Sequence, residues 1–205
     1  NRFLMEFFIF LFVAFALLLW LFSRYSMSRW HRPPVGSMPQ QRTLFNLRVG
    51  DVVQRESRDW IVENTLVFDQ KGFQWQEYYL RDGAEGVWLV VVDDDRIELS
   101  WMHQVPPEEV SVVFPLRDEL VYQGVRYRLS EKGIANYRKT SRGSQQGGPC
   151  RFHDYVAQSD RVLSVEIYSA SELLADDGEI ELCVGVRITP ESLTLLPGDG
   201  RSVYA

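Results

Sequence analysis

The sequence predicts an all-β domain, either an antiparallel barrel or a sandwich, that is preceded by a single transmembrane helix. Three observations support this fold class. Residues 3–22 form an apolar run with one charge, Glu6. From residue 44 onward, short segments rich in β-branched and aromatic residues recur about every ten residues between Gly- and Asp-containing turns. Finally, two stretches of this region resemble each other, which predicts two related β-meanders in one domain.

The apolar run predicts a membrane anchor over residues 1–24. About 20 apolar residues at 1.5 Å per residue cross roughly 30 Å of hydrocarbon. A secretory signal peptide has a shorter apolar region and ends in a small-residue cleavage site. Here the run ends in Ser23, Arg24 and Tyr25 without such a site. We therefore expect an uncleaved helix that contacts the lipid bilayer through residues 3–22.

The basic residues around this run predict its orientation. Arg24, Arg29 and Arg32 follow the run, whereas only Arg2 precedes it. By the positive-inside rule, the C-terminal domain then lies in the cytoplasm, as expected of a single-pass protein of the cell inner membrane. Residues 25–43 contain three prolines without apolar periodicity, which is typical of a linker.

Residues 44–205 are predicted to form the β-domain, with repeats at about 47–105 and 119–197. Alternation over Phe73 to Arg81 places Trp75, Glu77 and Tyr79 on one face of a strand. The other predicted strands cover residues 59–67, 87–92, 96–102, 119–125, 125–129, 152–157, 162–168, 179–188 and 193–196. Short helical turns are expected only at 106–110 and 169–175.

The internal repeat is carried by matched aromatic and acidic positions. Trp75-Gln76-Glu77-Tyr78 resembles Phe152-His153-Asp154-Tyr155, and Trp88 then matches Val162. Strand alternation produces similar patterns by itself, so chance similarity is the alternative interpretation. The two halves are predicted to pack about a pseudo-twofold axis in one core.

Charge and motif content argue against several classes of function. Residues 43–205 contain 17 Lys and Arg against 27 Asp and Glu, so a nucleic-acid partner is not expected. The three histidines and two cysteines form no H-x-x-x-H or C-x-x-C pattern, and neither a P-loop nor a G-x-S-x-G motif occurs. The sequence therefore predicts no metal, no cofactor and no catalytic residue.

One acidic cluster is a candidate ligand-binding face. Asp93, Asp94 and Asp95 are consecutive and separate two predicted strands. Such a cluster suits a divalent metal or a polycation such as a polyamine. Consecutive strand residues point to opposite faces, however, so a solvated hairpin turn is the competing interpretation.

Four further residues are candidate partner contacts. Arg138, Lys139 and Arg142 form a basic, Gly-rich segment in an acidic domain, which suits docking on lipid headgroups or on an acidic partner. A flexible hairpin tip is the alternative. Glu6 lies about one turn inside the apolar run, where a carboxylate either snorkels to the interface or contacts a partner helix.

Several short patterns, taken together, resemble the bacterial domain-of-unknown-function family 4178 over about residues 44–197. They are Leu47-x-x-Gly50-Asp51-Val52-Val53, Trp60-x-Val62-x-x-Thr65-Leu66, Trp75-x-Glu77-Tyr78-x-Leu80, Trp88-Leu89-x-Val91-x-Asp93, and Tyr155 followed by Leu163-Ser164-Val165-Glu166. The family's Trp-Leu-Ser-Val-Glu run reads Trp-Leu-Val-Val-Val in the first half here, while the second half keeps Glu166. If that glutamate were catalytic in the first half, this protein would lack it.

The resemblance implies an accessory membrane role. The gene context of the family includes membrane-stress systems with phage-shock-protein-like coiled coils, small multi-span membrane proteins and spermidine-synthase-like enzymes. The leading hypothesis is a non-enzymatic, membrane-anchored adaptor whose β-domain binds a membrane-protein partner. The alternative is a membrane-tethered sensor that binds a cationic small ligand such as a polyamine.

Overall fold

The computed structural model describes residues 41–110, 112–141, 144–169 and 178–198. The predicted anchor and residues 25–40 of the predicted linker lie outside this part of the chain. Within the described ranges, no helix has the length and apolar character needed to cross a membrane.

The described residues form eleven β-strands, and the two regular helical segments among them are single 3-10 turns at Pro107–Glu109 and Pro190–Ser192. The strands are β1 Val52–Arg55, β2 Arg58–Gln70, β3 Phe73–Asp82, β4 Glu85–Asp93, β5 Ile97–Gln104, β6 Glu119–Tyr122, β7 Val125–Ser141, β8 Ser144–Val156, β9 Arg161–Tyr168, β10 Glu179–Ile188 and β11 Thr194–Leu196. Every pairing between them is antiparallel. The predicted all-β, antiparallel class is confirmed.

Two strands extend well beyond their predicted ends. β7 continues to Ser141, and β8 begins at Ser144 rather than Phe152. The additional residues include Gly133, Gly147 and Gly148, which have low β-propensity. Their backbone is held in strands by the long β7–β8 hairpin and by the pairing of β7 with β2. Tertiary pairing therefore decides these boundaries.

Eight strands close into a ring. The sheet order is β11-β1-β2-β3-β4-β5-β10-β9-β8-β7-β6, and an additional pairing joins β2 to β7. The ring therefore runs through β2, β3, β4, β5, β10, β9, β8 and β7. β1 with β11, and β6 at the other side, extend outside it. Of the two predicted architectures, closure corresponds to the barrel.

A β-bulge in each of the two long strands, β2 and β7, allows the strand to pair with one neighbour in its N-terminal part and with another in its C-terminal part. The register of β2 against β3 shifts between Val62 and Asn64, and that of β7 against β8 shifts between Leu129 and Glu131. The N-terminal parts of β2 and β7 pair with β1 and β6, and their C-terminal parts pair with each other. Because a bulge bends its strand, these two positions turn the flanking strands away from the ring.

The two halves of the chain have the same strand order. β1 to β5 are successive neighbours, as are β6 to β10, and the halves meet through the pairs β2–β7 and β5–β10. Tyr78 and Tyr155, which the sequence repeat matches, make the same kind of contact. Each hydroxyl donates to a backbone carbonyl that precedes the first strand of its half, that of Leu44 at 2.8 Å and that of Arg117 at 3.0 Å.

The hydrophobic core has three parts, because strand alternation sends side chains to both faces of the ring. One cluster fills the ring interior and includes Phe68, Trp75, Trp88 and Phe152. A second covers the outer face around Trp60 and Trp101, and a third covers the opposite outer face around Tyr155 and Leu163. The interior cluster surrounds a cavity inside the ring.

Gly185 permits the close approach of β10 to β5. A Cβ atom at this position would lie 2.0 Å from the backbone oxygen of Trp101 and 2.7 Å from Cα of Met102. Backbone atoms of a paired strand have little freedom to move away. The β5–β10 pair that joins the two halves therefore requires glycine at this position.

Candidate functional site

The ring interior contains a cavity of about 260 Å³. Its wall is built from alternate residues of the strands, which is why one face of each strand supplies the lining. The aromatic side chains of Trp75, Trp88 and Phe152 form much of this wall, together with Val90 and Met102. The volume suits a ligand smaller than a typical drug-sized molecule.

Of the acidic residues that line the cavity, four lie inside the ring: Glu77 from β3, Asp154 from β8, Glu166 from β9 and Glu181 from β10. The Glu77 and Glu166 side chains are almost fully buried, at 6% and 8% exposure. In the sequence repeat, Glu77 corresponds to Asp154, so each half contributes one acid at the matched position. Four carboxyl groups in one small cavity are costly unless protons or cations neutralise them.

The strand register brings the acids together. Glu181 and Glu166 are directly opposite each other on paired antiparallel strands, and like charges in such a pair repel. Glu77 reaches across the ring, and its carboxyl group lies within hydrogen-bonding distance of that of Glu166. A hydrogen bond between two carboxyl groups requires that one of them carries a proton.

Hydrogen-bond donors from the cavity wall fix three of these acids. The indole N–H of Trp75 donates to Oε1 of Glu77 at 3.0 Å. The hydroxyl of Ser164 donates to Oδ1 of Asp154 at 2.6 Å. The hydroxyl of Tyr168 donates to Oε2 of Glu166. The carboxyl groups therefore have defined positions in the wall.

The burial of these groups favours their protonated forms. Burial, reinforced by the neighbouring Glu166, raises the pKa of Glu77 well above its ordinary value. Burial raises the pKa of Glu166 to about 8, although the Tyr168 hydroxyl opposes that rise. Burial also raises the pKa of Asp154 to about 6. At neutral pH, both carboxyl groups of the Glu77–Glu166 pair are therefore protonated.

Aromatic stacking holds the Trp75 ring in place beside the acids. Phe68 stacks on it with ring centroids 4.9 Å apart and an angle of 2° between the planes. Phe152 contacts it edge to face at 5.2 Å. Such contacts contribute about 0.5–1.5 kcal/mol each beyond the area that they bury. A well-fixed indole next to a carboxyl group is a suitable surface for an organic cation.

A second indole, that of Trp88, lies beside a carboxyl group in the cavity wall. The Trp88 side chain is 6% exposed and lines the cavity. Its N–H acts on the carboxyl group of Glu181 and opposes the rise that burial causes in the pKa of Glu181. Trp88 with Glu181 therefore repeats the arrangement of Trp75 with Glu77.

The mouth of the cavity lies at the end of the ring where β3 begins and β4 ends. Phe73, Asp94 and Glu131 line this end. An ion pair between Arg187 and Glu98, at 3.4 Å, lies at the same end. A ligand entering here meets an acidic rim before it reaches the buried acids.

The candidate ligand face Asp93–Asp95 lies at this mouth. Asp93 is the last residue of β4, Asp94 and Asp95 are in the turn that follows, and all three are exposed. Of the three, Asp94 lines the cavity. The turn thus contributes one residue to the rim, while the densest group of buried acids is inside the ring.

Among the described residues, the candidate partner contacts are not brought together on one surface. Arg138 and Lys139 are adjacent in β7, so their side chains point to opposite faces of the ring. Arg138 is exposed, while Lys139 lies near enough to Glu181 to lower its pKa against the effect of burial. Arg142 and Glu6 lie outside the described residues. The segment around Arg138 is a paired hairpin up to Ser141 and from Ser144.

Two other groups in the sequence patterns have structural explanations. Asp51 is 1% exposed; it accepts hydrogen bonds from the backbone N–H of Arg48 at 2.7 Å and of Gly198 at 2.8 Å, and it pairs with Arg42. The Gly50-Asp51 pattern therefore ties the two ends of the domain together.

Cys150 and Cys183 are both free thiols inside the ring, and burial raises the pKa of each.

Sequence reasoning placed Trp75 and Glu77 on one face of a strand, where core packing is the favoured interpretation of the aromatic residues and a ligand groove the alternative, and it did not select Glu77 as a site residue. It missed Glu166, Glu181 and Asp154 as members of the same site. The available signal was a carboxylate at an alternating position between large apolar residues, as in Trp75-x-Glu77-x-Tyr79. Such a position faces a core, and a carboxyl group in a core needs a partner.

Among the described residues, no group of three or more His, Cys, Asp and Glu side chains is arranged to hold a metal ion.

The fold and the site together define an antiparallel ring of strands with an acidic and aromatic interior. The chain belongs to the family described as Domain of unknown function (DUF4178), whose model matches residues 48–190. This finding confirms the family resemblance seen in the sequence.

Relatives of this chain occur in distant bacteria. It is 26% identical over 151 residues to an uncharacterized protein of Mycobacterium tuberculosis (strain ATCC 25618 / H37Rv), which covers 72% of this chain and 70% of that protein. A protein of Mycobacterium bovis with the same description matches to the same extent. An uncharacterized protein of Aquifex aeolicus is 21% identical over 140 residues, 66% of this chain and 77% of the relative. No solved structure matches the chain significantly.

Proposed function

We propose that this protein binds a small organic cation inside the closed ring of strands and acts as a ligand-binding module rather than as a catalyst. The observation that carries the proposal is the cavity of about 260 Å³ in which Trp75, Trp88 and Phe152 lie beside four carboxyl groups. An ammonium ion gains both from carboxylates and from aromatic faces. The apolar part of the same molecule gains from the remaining wall.

The charge balance inside the ring favours a cation. Glu77, Asp154, Glu166 and Glu181 all line the cavity. The basic groups near it are at its ends, Lys139 beside Glu181 and Arg187 in its pair with Glu98. The buried centre around Glu77 and Glu166 thus has an excess of acids, which a bound ammonium neutralises. A short polyamine belongs to this class of ligand, and so does a primary amine that a methylene group joins to an aromatic ring.

The position of Trp88 is a second feature that suits a cation, because its indole lies beside the carboxyl group of Glu181 in the cavity wall. An ammonium bound there contacts a carboxylate and an aromatic side chain at once. Asp94 and Glu131 line the mouth of the cavity, through which such a molecule reaches the interior.

Calorimetric titration of the full chain tests the proposal. Benzylamine and 1,4-diaminobutane supply an ammonium on an apolar body, and benzyl alcohol is the neutral counterpart of the first. We expect both amines to bind and benzyl alcohol not to bind. Exchanging Glu77 and Glu166 together for Gln keeps the shape of the wall and should weaken amine binding at least tenfold.

A matched control separates the interior from the exposed turn. Asp93→Asn combined with Asp95→Asn removes two carboxylates from the turn without changing the cavity lining, and this variant should bind the amines as the wild type does. Equal binding of benzyl alcohol and benzylamine, or loss of binding only in the turn variant, would contradict the proposal.

The membrane-anchored adaptor predicted from the sequence depends on residues 1–40, on Arg142 and on a partner. It stays a prediction. The two proposals are compatible, because an anchor places a ligand-binding domain next to a membrane partner and raises its effective concentration there. Co-purification of the full chain from detergent with a stoichiometric membrane protein, dependent on Glu6, would support the adaptor role.

A further inference from the structure

The two most buried acids of the cavity come from opposite halves of the chain and meet across its interior. Glu77 is in β3 and Glu166 is in β9, and their carboxyl groups are within hydrogen-bonding distance. Two ionised carboxylates in contact repel, whereas a carboxylic acid and a carboxylate form a strong hydrogen bond. The empty cavity therefore needs a proton at this position, which is also where the proposed ammonium would lie.

Titratable groups face this pair from several strands. Glu181 lies opposite Glu166, and Asp154 contributes a further carboxyl group. Four further described groups that face inward from the ring strands are tyrosine hydroxyls and thiols whose pKa burial raises: Tyr137, Tyr168, Cys150 and Cys183. In β2 the described core residues that face the interior are Leu66 and Phe68, and in β4 they are Trp88, Val90 and Val92.

Among the described residues, the cations close to the cavity are at its ends. Arg187 is paired with Glu98 at the mouth, where Asp94 and Glu131 also lie. Lys139 acts on Glu181 from β7. The charges named as acting on Glu77 are those of Glu166, Glu181 and Asp154, all acidic. The Glu77–Glu166 pair is thus neutralised by protons rather than by a basic side chain.

We infer that a bound ammonium displaces one proton from the Glu77–Glu166 pair, so that each cation taken into the cavity releases one proton to solvent. This inference rests on the proposed function. Without a ligand, both carboxyl groups are protonated and the pair is neutral. With the ammonium bound, the pair keeps one proton and carries one negative charge, which the ammonium balances, and the displaced proton leaves to water. Charge and protons balance.

The exchange makes binding dependent on pH. The high pKa of Glu166, about 8, means that the proton must be removed at a cost that falls as the pH rises. The affinity for an amine should therefore increase about tenfold per pH unit between pH 6 and pH 7, where the pair is protonated in the empty cavity and the amine is charged.

Calorimetry in two buffers measures the exchange directly. The full chain is titrated with benzylamine at pH 7 in phosphate and in Tris, whose ionisation enthalpies differ, and the difference in observed heat gives the number of protons released. We expect a value near one. Exchange of Glu108 for Gln is the matched control: Glu108 is exposed in the 3-10 turn Pro107–Glu109 and is not part of the cavity lining, so this value should stay unchanged.

The outcomes separate the two proposals. Absence of binding by benzylamine and 1,4-diaminobutane between pH 6 and 8 would overturn the proposed function and the inference with it. Binding without proton release, and with equal affinity at pH 6 and pH 7, would overturn the inference alone. If Glu77→Gln with Glu166→Gln still bound the amine and released one proton, the proton would come from another group, and the assignment to this pair would be wrong.

Discussion

The buried carboxyl group of Glu166 should make the protein less stable as the pH rises, and exchanging it for Gln should remove that effect. Gln has the same shape, accepts the hydrogen bond that Tyr168 donates, and can donate one to Glu77. The variant therefore changes the titration of the site while the packing of the ring interior is preserved.

The sign and size of the effect follow from the pKa of Glu166. It is about 8 in the folded protein, against an ordinary value of 4.5. Between these two pH values the folded state keeps a proton that the unfolded state has lost, so the free energy of unfolding falls as the pH rises through this window. At about 1.4 kcal/mol for each pKa unit, the decline reaches roughly 5 kcal/mol. Water penetration and relaxation reduce it, so we expect about 2–5 kcal/mol.

Urea unfolding followed by tryptophan fluorescence at pH 5, 6, 7, 8 and 9 measures this decline. The wild-type free energy of unfolding should fall steadily from pH 5 to pH 9, and Glu166→Gln should flatten the curve and be the more stable protein at pH 9. Glu131→Gln, at the exposed rim, should follow the wild type. Parallel curves for the wild type and Glu166→Gln would refute the reasoning, because Glu166 would then have the same pKa in both states.

Three further predictions test the architecture around the site. Gly185→Ala should destabilise the protein by several kcal/mol in urea unfolding, because the added Cβ would clash with the backbone of β5. Gly148→Ala is the control and should have little effect, since a Cβ there has no contact closer than 3.5 Å. Equal stability of the two variants would contradict the closed β5–β10 pair. Trp75→Ala should cost roughly 3–5 kcal/mol, and Trp75→Phe clearly less because stacking is kept; equal losses would show that the ring packing contributes little. The thiols of Cys150 and Cys183 should react with a maleimide only in urea, and rapid labelling of the native protein would place them outside the ring interior.

The strands that the sequence predicts best are those whose alternation is decided locally. β3, β9 and β10 begin and end within a residue or so of their predicted bounds, because large apolar residues alternate along them between turns. In β7 the residues after Leu129 lack such a pattern. They form a strand because β8 on one side and β2 on the other satisfy their backbone groups, and neither pairing can be seen in a local window.

The candidate site was less predictable than the fold. Local charge density drew attention to Asp93–Asp95, which is an exposed turn at the rim. The buried acids are single carboxyl groups at alternating apolar positions, so no short motif contains two of them. Glu77 and Glu166 become neighbours only when the two halves close the ring, and the opposition of Glu166 to Glu181 depends on the register of β9 and β10.

The signals of the indole N–H groups in NMR spectra test the central claim most directly. Trp75 and Trp88 line the cavity, whereas Trp60 and Trp101 pack against each other in the outer cluster, with ring centroids 5.4 Å apart. Titration of the full ¹⁵N-labelled chain with benzylamine at pH 8 should shift the indole signals of Trp75 and Trp88 and leave those of Trp60 and Trp101 in place. Shifts confined to Trp60 and Trp101, or no shift at any of the four, would contradict a cation site inside the ring.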